Sequence, residues 1–125
     1  MIRTTVKRAF DTPTIHFDRD NGSIQISGRS IQLDPNQFWK PVIAQFKEYL
    51  KHPKPKTSIR FELEYINTPS IEAILKFLKV SKDLNTSDQA IDIEWRYEKG
   101  DDDMMDLGNS IHRLVNIPVK CTEVN

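Results

Sequence analysis

The sequence predicts an α/β domain built on a mixed β-sheet, with helices packed mainly on one face. Three observations carry this. Stretches with strict two-residue alternation are separated by stretches with apolar residues every three or four positions. From residue 58 onward the order is strand, helix, strand, which requires crossovers and therefore parallel neighbours. Near the start, two alternating stretches flank Asp20-Asn21-Gly22, a turn sequence suited to an antiparallel hairpin. The 125 residues suffice for one core and are too few for two. Residues 1–125 are read as a single domain.

Residues 1–12 are polar and are expected to be loosely held. "PTIHFD" and "GSIQISGRSI" place Ile15/Phe17 and Ile24/Ile26 on one face each, giving strands near 14–18 and 23–28. "LDPNQFWKPVIAQFKEYLKH" reads as a helix with Asp34 as cap, Pro35 in the first turn, and a stripe of Phe38, Val42, Ile43, Phe46, Tyr49 and Leu50. Pro41 lacks an N–H and clashes one turn back, so a kink or a start near Lys40 is expected. Trp39 falls off the stripe and is expected to be exposed.

"SIRFELEYI" is a strand whose core face is Ile59, Phe61, Leu63 and Tyr65. "PSIEAILKFLKVSKDL" is a helix over 69–83 with Ile71, Ile74, Leu75 and Leu78 buried. "AIDIEWRY" is a strand with Ile91, Ile93, Trp95 and Tyr97 on one side. "DDDMMDLGNSIHRLV" is a third helix, opened by three aspartates that complement its dipole. "IPVKCTEV" is a candidate closing edge strand.

Bulk chemistry narrows the function classes. Lys+Arg and Asp+Glu both count 18, so no basic footprint marks nucleic acid or an anionic membrane surface as partner. No stretch approaches the ~20 apolar residues that span a bilayer. "MIRTTVKRAF" has no apolar run of the secretory kind, which points to the cytoplasm. Asn21-Gly22-Ser23 and Asn85-Thr86-Ser87 fit the glycosylation pattern and are discounted for the same reason. Cys121 is the lone cysteine and has no partner for a disulfide. His16, His52 and His112 fall on separate elements without metal-ligand spacing. No nucleophile–base pair, Gly-rich phosphate loop or carboxylate pair assembles, so no catalytic residue, cofactor or metal is assigned.

One stretch stands apart. Asn67-Thr68-Pro69-Ser70 lies where a strand hands over to a helix, the kind of strand-end position where open α/β sheets bind ligands and partners. Thr68 suits an N-cap and Pro69 the first helical position. On capping chemistry alone, Thr68 is a cap and nothing more. The same helix start favours an anion, with the N–H groups of Ser70 and Ile71 expected to be available. A phosphate on Thr68 would add about −1.5 to −2 charges there without breaking the fold. Trp95 and Tyr97 read first as sheet-face core. Near the same strand ends they are also candidate partner contacts, with Tyr65, Glu72, Asp101 and Asp102.

"ELEYINTPSIEAILKFL" followed by "DIEWRYEKGDDDMMDLGNSI" resembles the SiaC-type bacterial regulatory phosphoproteins, whose fold is similar to the STAS anti-sigma-factor antagonists. Thr12-Pro13-x-Ile15 and Asp106-Leu107-Gly108 also look like the family pattern, and the likeness covers about residues 12–120. The resemblance implies a STAS-like, non-enzymatic switch. A dedicated kinase would phosphorylate Thr68 and a PP2C-like phosphatase would reverse this. The unphosphorylated form would bind and activate a diguanylate cyclase, linking the chain to cyclic-di-GMP and biofilm control. Pro69 stands where the family usually has serine, and Glu72 where lysine is common. Glu72 puts a negative charge one turn from the phosphate. Two alternatives stay open: a small ligand-binding domain or enzyme using the strand-end crevice, and an unswitched interaction module in which Thr68 only caps.

Overall fold

The computed structural model describes residues 3–6, 11–84 and 90–125. The chain runs β1 (Arg3–Val6), β2 (Thr14–Asp18), β3 (Ser23–Ser30), α1 (Pro35–Tyr49), β4 (Lys56–Ile66), α2 (Thr68–Leu84), β5 (Ala90–Glu98), α3 (Asp102–Val115) and β6 (Val119–Val124). Asn85-Thr86-Ser87 lies outside the described residues.

The six strands lie in the sheet in the order they occur in the sequence. β1, β2 and β3 pair antiparallel, and β3, β4, β5 and β6 pair parallel. Right-handed crossovers that all step in one direction deliver their helices to one face, and α1 lies against α2 and α2 against α3. The expected mixed sheet with helices on one face is the observed architecture. Ile24, Ile26, Ile59, Phe61, Ile93 and Trp95 face the helices and are buried against Phe46, Phe77, Leu78 and Ile111. Aromatic rings knit the layers: Phe77 meets Phe46 at 4.8 Å and Trp39 at 5.7 Å, and Phe61 meets Trp95 at 5.1 Å.

The opposite face carries the polar half of the alternation as cross-strand charge pairs. Arg60 meets Glu94 at 2.8 Å, Arg96 meets Glu62 at 3.1 Å, and Lys56 meets Asp92 at 2.9 Å.

Several expectations are corrected. Arg3–Val6 is a strand, paired from Arg3↔Asp18 to Val6↔Ile15. A bare β2 edge would leave unpaired backbone groups, and this segment satisfies them whatever its polarity. α1 continues through Pro41 rather than starting near Lys40. Proline there removes the backbone bond to the Gln37 carbonyl, and both residues lie on the exposed side, where that loss is cheap because the carbonyl is open to solvent. Asp34 stands at the N-cap of α1, but its side chain makes no capping hydrogen bond. Trp39 is 1% exposed, because α2 covers it through Phe77.

Tyr65 is the correction that bears on function. Gly28 pairs with Leu63, but Arg29 pairs with Tyr65, so Glu64 is an extra residue in β4. Such a bulge reverses the alternation. Tyr65 turns away from the core and is 60% exposed, with the Arg29 guanidinium 5.5 Å from its ring centre. Ile66 takes the inner side and packs on the core.

Candidate functional site

β3 and β4 end side by side, with Ser30 paired to Ile66. The next residue, Asn67, ties three elements together. Its backbone N–H donates to the Ser30 carbonyl at 3.1 Å, and its Nδ2 donates to the Gln32 carbonyl at 3.1 Å. Its Oδ1 accepts the Ser70 N–H at 3.0 Å, and its carbonyl accepts the Ile71 N–H at 3.0 Å. This is N-cap geometry. The cap of α2 is therefore Asn67, and the expectation that Thr68 caps is overturned. Asparagine and threonine both cap well, asparagine somewhat better, and so small a difference does not fix a helix boundary to one residue. The Gln32 carbonyl across the loop decides for Asn67.

Thr68 becomes the first helical residue and Pro69 the second. Thr68 is exposed, and its hydroxyl makes no hydrogen bond among the described residues. Pro69 is exposed and has no N–H to leave unsatisfied. Ser70 is fully buried, its Oγ without a hydrogen-bond partner among the described residues, so it is closed to modifying enzymes. Ile71 is half-buried. The two N–H groups expected to await an anion are both spent on Asn67. What remains for a phosphate on Thr68 is the helix dipole and open solvent. The fold exposes the Thr68 hydroxyl without setting free N–H groups of the helix start beside it.

The candidate partner contacts divide. Tyr65 is exposed two residues before Asn67, and Glu72 is exposed one turn beyond Thr68. Trp95 is corrected: it is 1% exposed, and its Nε1–H donates to the Met104 carbonyl at 3.0 Å. α3 lies over it, so no partner reaches it. Tyr97 is half-buried against the same core. Asp101 caps α3 by accepting the Met104 N–H at 3.1 Å, and Asp102 is exposed in the first turn. Because β3 to β5 are parallel, the starts of α1, α2 and α3 gather at one edge of the sheet, which brings Asp101 and Asp102 to the same end as Thr68.

Leu33 escaped the sequence reading. It is 97% exposed in the β3–α1 loop, next to the Gln32 carbonyl that Asn67 holds. Its one sequence signal was an apolar residue between two polar ones in a non-periodic stretch.

The remaining groups play structural parts. His112 Nδ1 accepts the Val119 N–H at 3.0 Å. Among the described residues, no three His, Cys, Asp or Glu side chains are grouped to hold a metal ion. Cys121 is half-buried with Sγ 3.4 Å from Asn109 Oδ1, and burial pushes its thiol pKa up. Gly108 lets α3 approach closely, since a Cβ there would stand 2.5 Å from the Trp95 ring and 2.9 Å from Cys121 Sγ.

With this geometry in view, the family model of the SiaC family regulatory phosphoproteins matches residues 6–124. The chain belongs to the SiaC family. Among solved structures it is similar to SiaC from Pseudomonas aeruginosa, with a TM-score of 0.84 at 18% identity, covering 98% of this chain and 99% of that one. It is also similar to SiaC in a crystal structure of the diguanylate cyclase SiaD in complex with its activator SiaC, from the same organism. There the TM-score is 0.88 at 18% identity, covering 97% and 99% of the two chains. An uncharacterized protein of Pseudomonas aeruginosa strain UCBPP-PA14 is 21% identical over 107 residues, 86% of this chain and 85% of that protein. Identities this low carry the SiaC fold across, while the family match carries the class of regulatory phosphoprotein. No helix among the described residues is long and apolar enough to cross a membrane.

Proposed function

We propose that this SiaC-family chain is a non-enzymatic cytoplasmic switch in which reversible phosphorylation of Thr68 controls the activation of a diguanylate cyclase. The observation that carries the reading is the division of labour at the start of α2. Asn67 does the capping, and Thr68 offers an exposed hydroxyl with no structural duty. A residue without such a duty can be phosphorylated and dephosphorylated without disturbing the helix beneath it. The known activator role of the similar SiaC supports the choice of cyclase as partner.

The mechanism follows from the spent N–H groups. A phosphate on Thr68 finds no local donors to fold onto, so it projects from the edge where Tyr65, Glu72 and Leu33 are exposed. A partner covering that edge must then desolvate a dianion, a cost of several kcal/mol without a paired cation. Docking fails because the surface has changed, and the fold has not. A protein kinase adds the group and a PP2C-like phosphatase removes it, which returns the chain to its activating form. Cyclic-di-GMP output, and with it biofilm formation, then follows the unphosphorylated fraction.

The test reconstitutes the switch. The chain is incubated with its cognate kinase and ATP, and the modified residue is mapped by mass spectrometry. Cyclase activity is then measured with wild type, Thr68→Ala and Thr68→Asp. Phosphate on Thr68 is expected, with activation kept by Thr68→Ala and lost by Thr68→Asp. An active kinase that leaves Thr68 unmodified, or full activation by Thr68→Asp, overturns the proposal.

A further inference from the structure

The lysines of this molecule are not all treated alike. On the open sheet face, cations are matched to carboxylates: Lys56 to Asp92, Arg60 to Glu94, Arg96 to Glu62. On the helical side Lys51 meets Glu48 at 3.0 Å at the end of α1, but three other lysines stand apart. α1 and α2 border an open cleft of ≈ 400 Å³, with Ile43 and Ala44 along its floor over the buried Trp39, and Lys40, Lys47 and Lys76 around it. None of the three lysines has an ion pair among the described residues, and no carboxylate lines the cleft.

The spacing explains how the sequence makes this site. Positions 36, 39, 40, 43, 44 and 47 repeat every three or four residues and so form one stripe of α1. That stripe runs for about 16 Å at the α-helical rise. Lys76 closes it from α2. Lysine stems are apolar along their length, so the walls extend the apolar floor while the ammonium heads stand at the rim. In a chain with 18 cations and 18 anions, three unmatched like charges around one apolar groove repel one another. Their mutual cost is relieved by whatever anion enters.

We propose that the α1–α2 cleft is a binding site for a small amphipathic anion, one that joins an apolar body to phosphate or carboxylate groups. The volume lies within the range of small-molecule sites. The apolar floor selects the body, and the lysines select the charge. Two sources share this chemistry, a purine nucleotide and an acyl carboxylate. The site is separate from the Thr68 edge: Lys76 stands about 12 Å further along α2 at the α-helical rise.

The two tryptophans give the test an internal control. Trp39 lies beneath the floor, and its buried Nε1–H has no acceptor among the described residues. Trp95 Nε1–H is held by the Met104 carbonyl, outside the cleft. The ¹⁵N-labelled protein is titrated separately with cyclic-di-GMP and with dodecanoate up to about 1 mM, following both indole resonances, where binding stronger than about −4 kcal/mol registers. Saturable movement of the Trp39 resonance with Trp95 unmoved is expected for at least one probe, weakening as ionic strength rises past about 0.1 M. The probe that saturates identifies the source. The triple variant Lys40→Gln/Lys47→Gln/Lys76→Gln, changed only at exposed positions, is expected to bind about tenfold or more weakly. A Trp39 resonance unmoved by either probe, movement of both tryptophans together, or undiminished binding by the triple variant overturns the proposal.

Discussion

Asn67 Oδ1 accepts the Ser70 N–H at 3.0 Å, and this bond releases Thr68 from the helix start in which it stands. A direct consequence is an asymmetry between neighbours. Asn67→Ala removes the cap and the link to the Gln32 carbonyl, and is expected to cost about 1–2 kcal/mol. Thr68→Ala removes an unbonded exposed hydroxyl and is expected to stay within about 0.5 kcal/mol of wild type. Urea unfolding of the two variants measures the difference. Equal losses would return the cap to Thr68.

Gly108 sits inside α3, where alanine ordinarily gains about 1 kcal/mol of helix propensity. Here the new Cβ would meet the Trp95 ring at 2.5 Å. That ring cannot slide away freely, since its Nε1 is bonded to the Met104 carbonyl and its face packs on Phe61. Overpacking of this kind costs about 1–3 kcal/mol. Gly108→Ala is therefore expected to lower the thermal midpoint despite the better helix former. A raised midpoint would mean that α3 can move outward cheaply.

Glu94 links stability to pH. Burial acts to raise its carboxyl pKa, but the polar Thr122 nearby, the Arg60 guanidinium bonded to it at 2.8 Å and the Arg96 charge more than reverse this, and the net shift is downward. A carboxyl with a lowered folded pKa contributes stability above its ordinary range and loses it as pH falls through the folded value. Glu94→Gln is accordingly expected to be less stable than wild type at neutral pH, with the gap closing on acidification below the ordinary glutamate range. Urea midpoints taken across acid pH report it. A gap that stays constant with pH would mean that Glu94 acts by packing alone.

Much of this molecule is legible because its strands and helices obey their periods. Ile59, Phe61 and Leu63 read as core and are core; Ile71, Ile74 and Leu78 read as the buried side of α2 and pack there or at its margin. What stayed hidden were features with no periodic trace. The bulge at Glu64 leaves the alternation of letters intact while reversing the direction of Tyr65. Trp39 looked exposed because one helix viewed alone does not reveal that α2 leans across its flank. From the sequence the cap falls one residue late, at Thr68, because both residue types cap helices and the deciding carbonyl of Gln32 is 35 positions away. The resemblance to the SiaC family was nonetheless visible, since it rests on residue types in order and not on the direction in which they point.

The strand order has a further meaning. Open α/β sheets make clefts where two adjacent connections depart to opposite faces, leaving a gap between them. Here every connection from β3 onward departs to the same face, because the sheet is wound in one sense only from β3 to β6. Nowhere along the row of strand ends do the loops part. Thr68 thus stands on a rampart with no gateway, and the switch proposed for it needs none: another protein would lean on that rampart, and a single added charge would push it off.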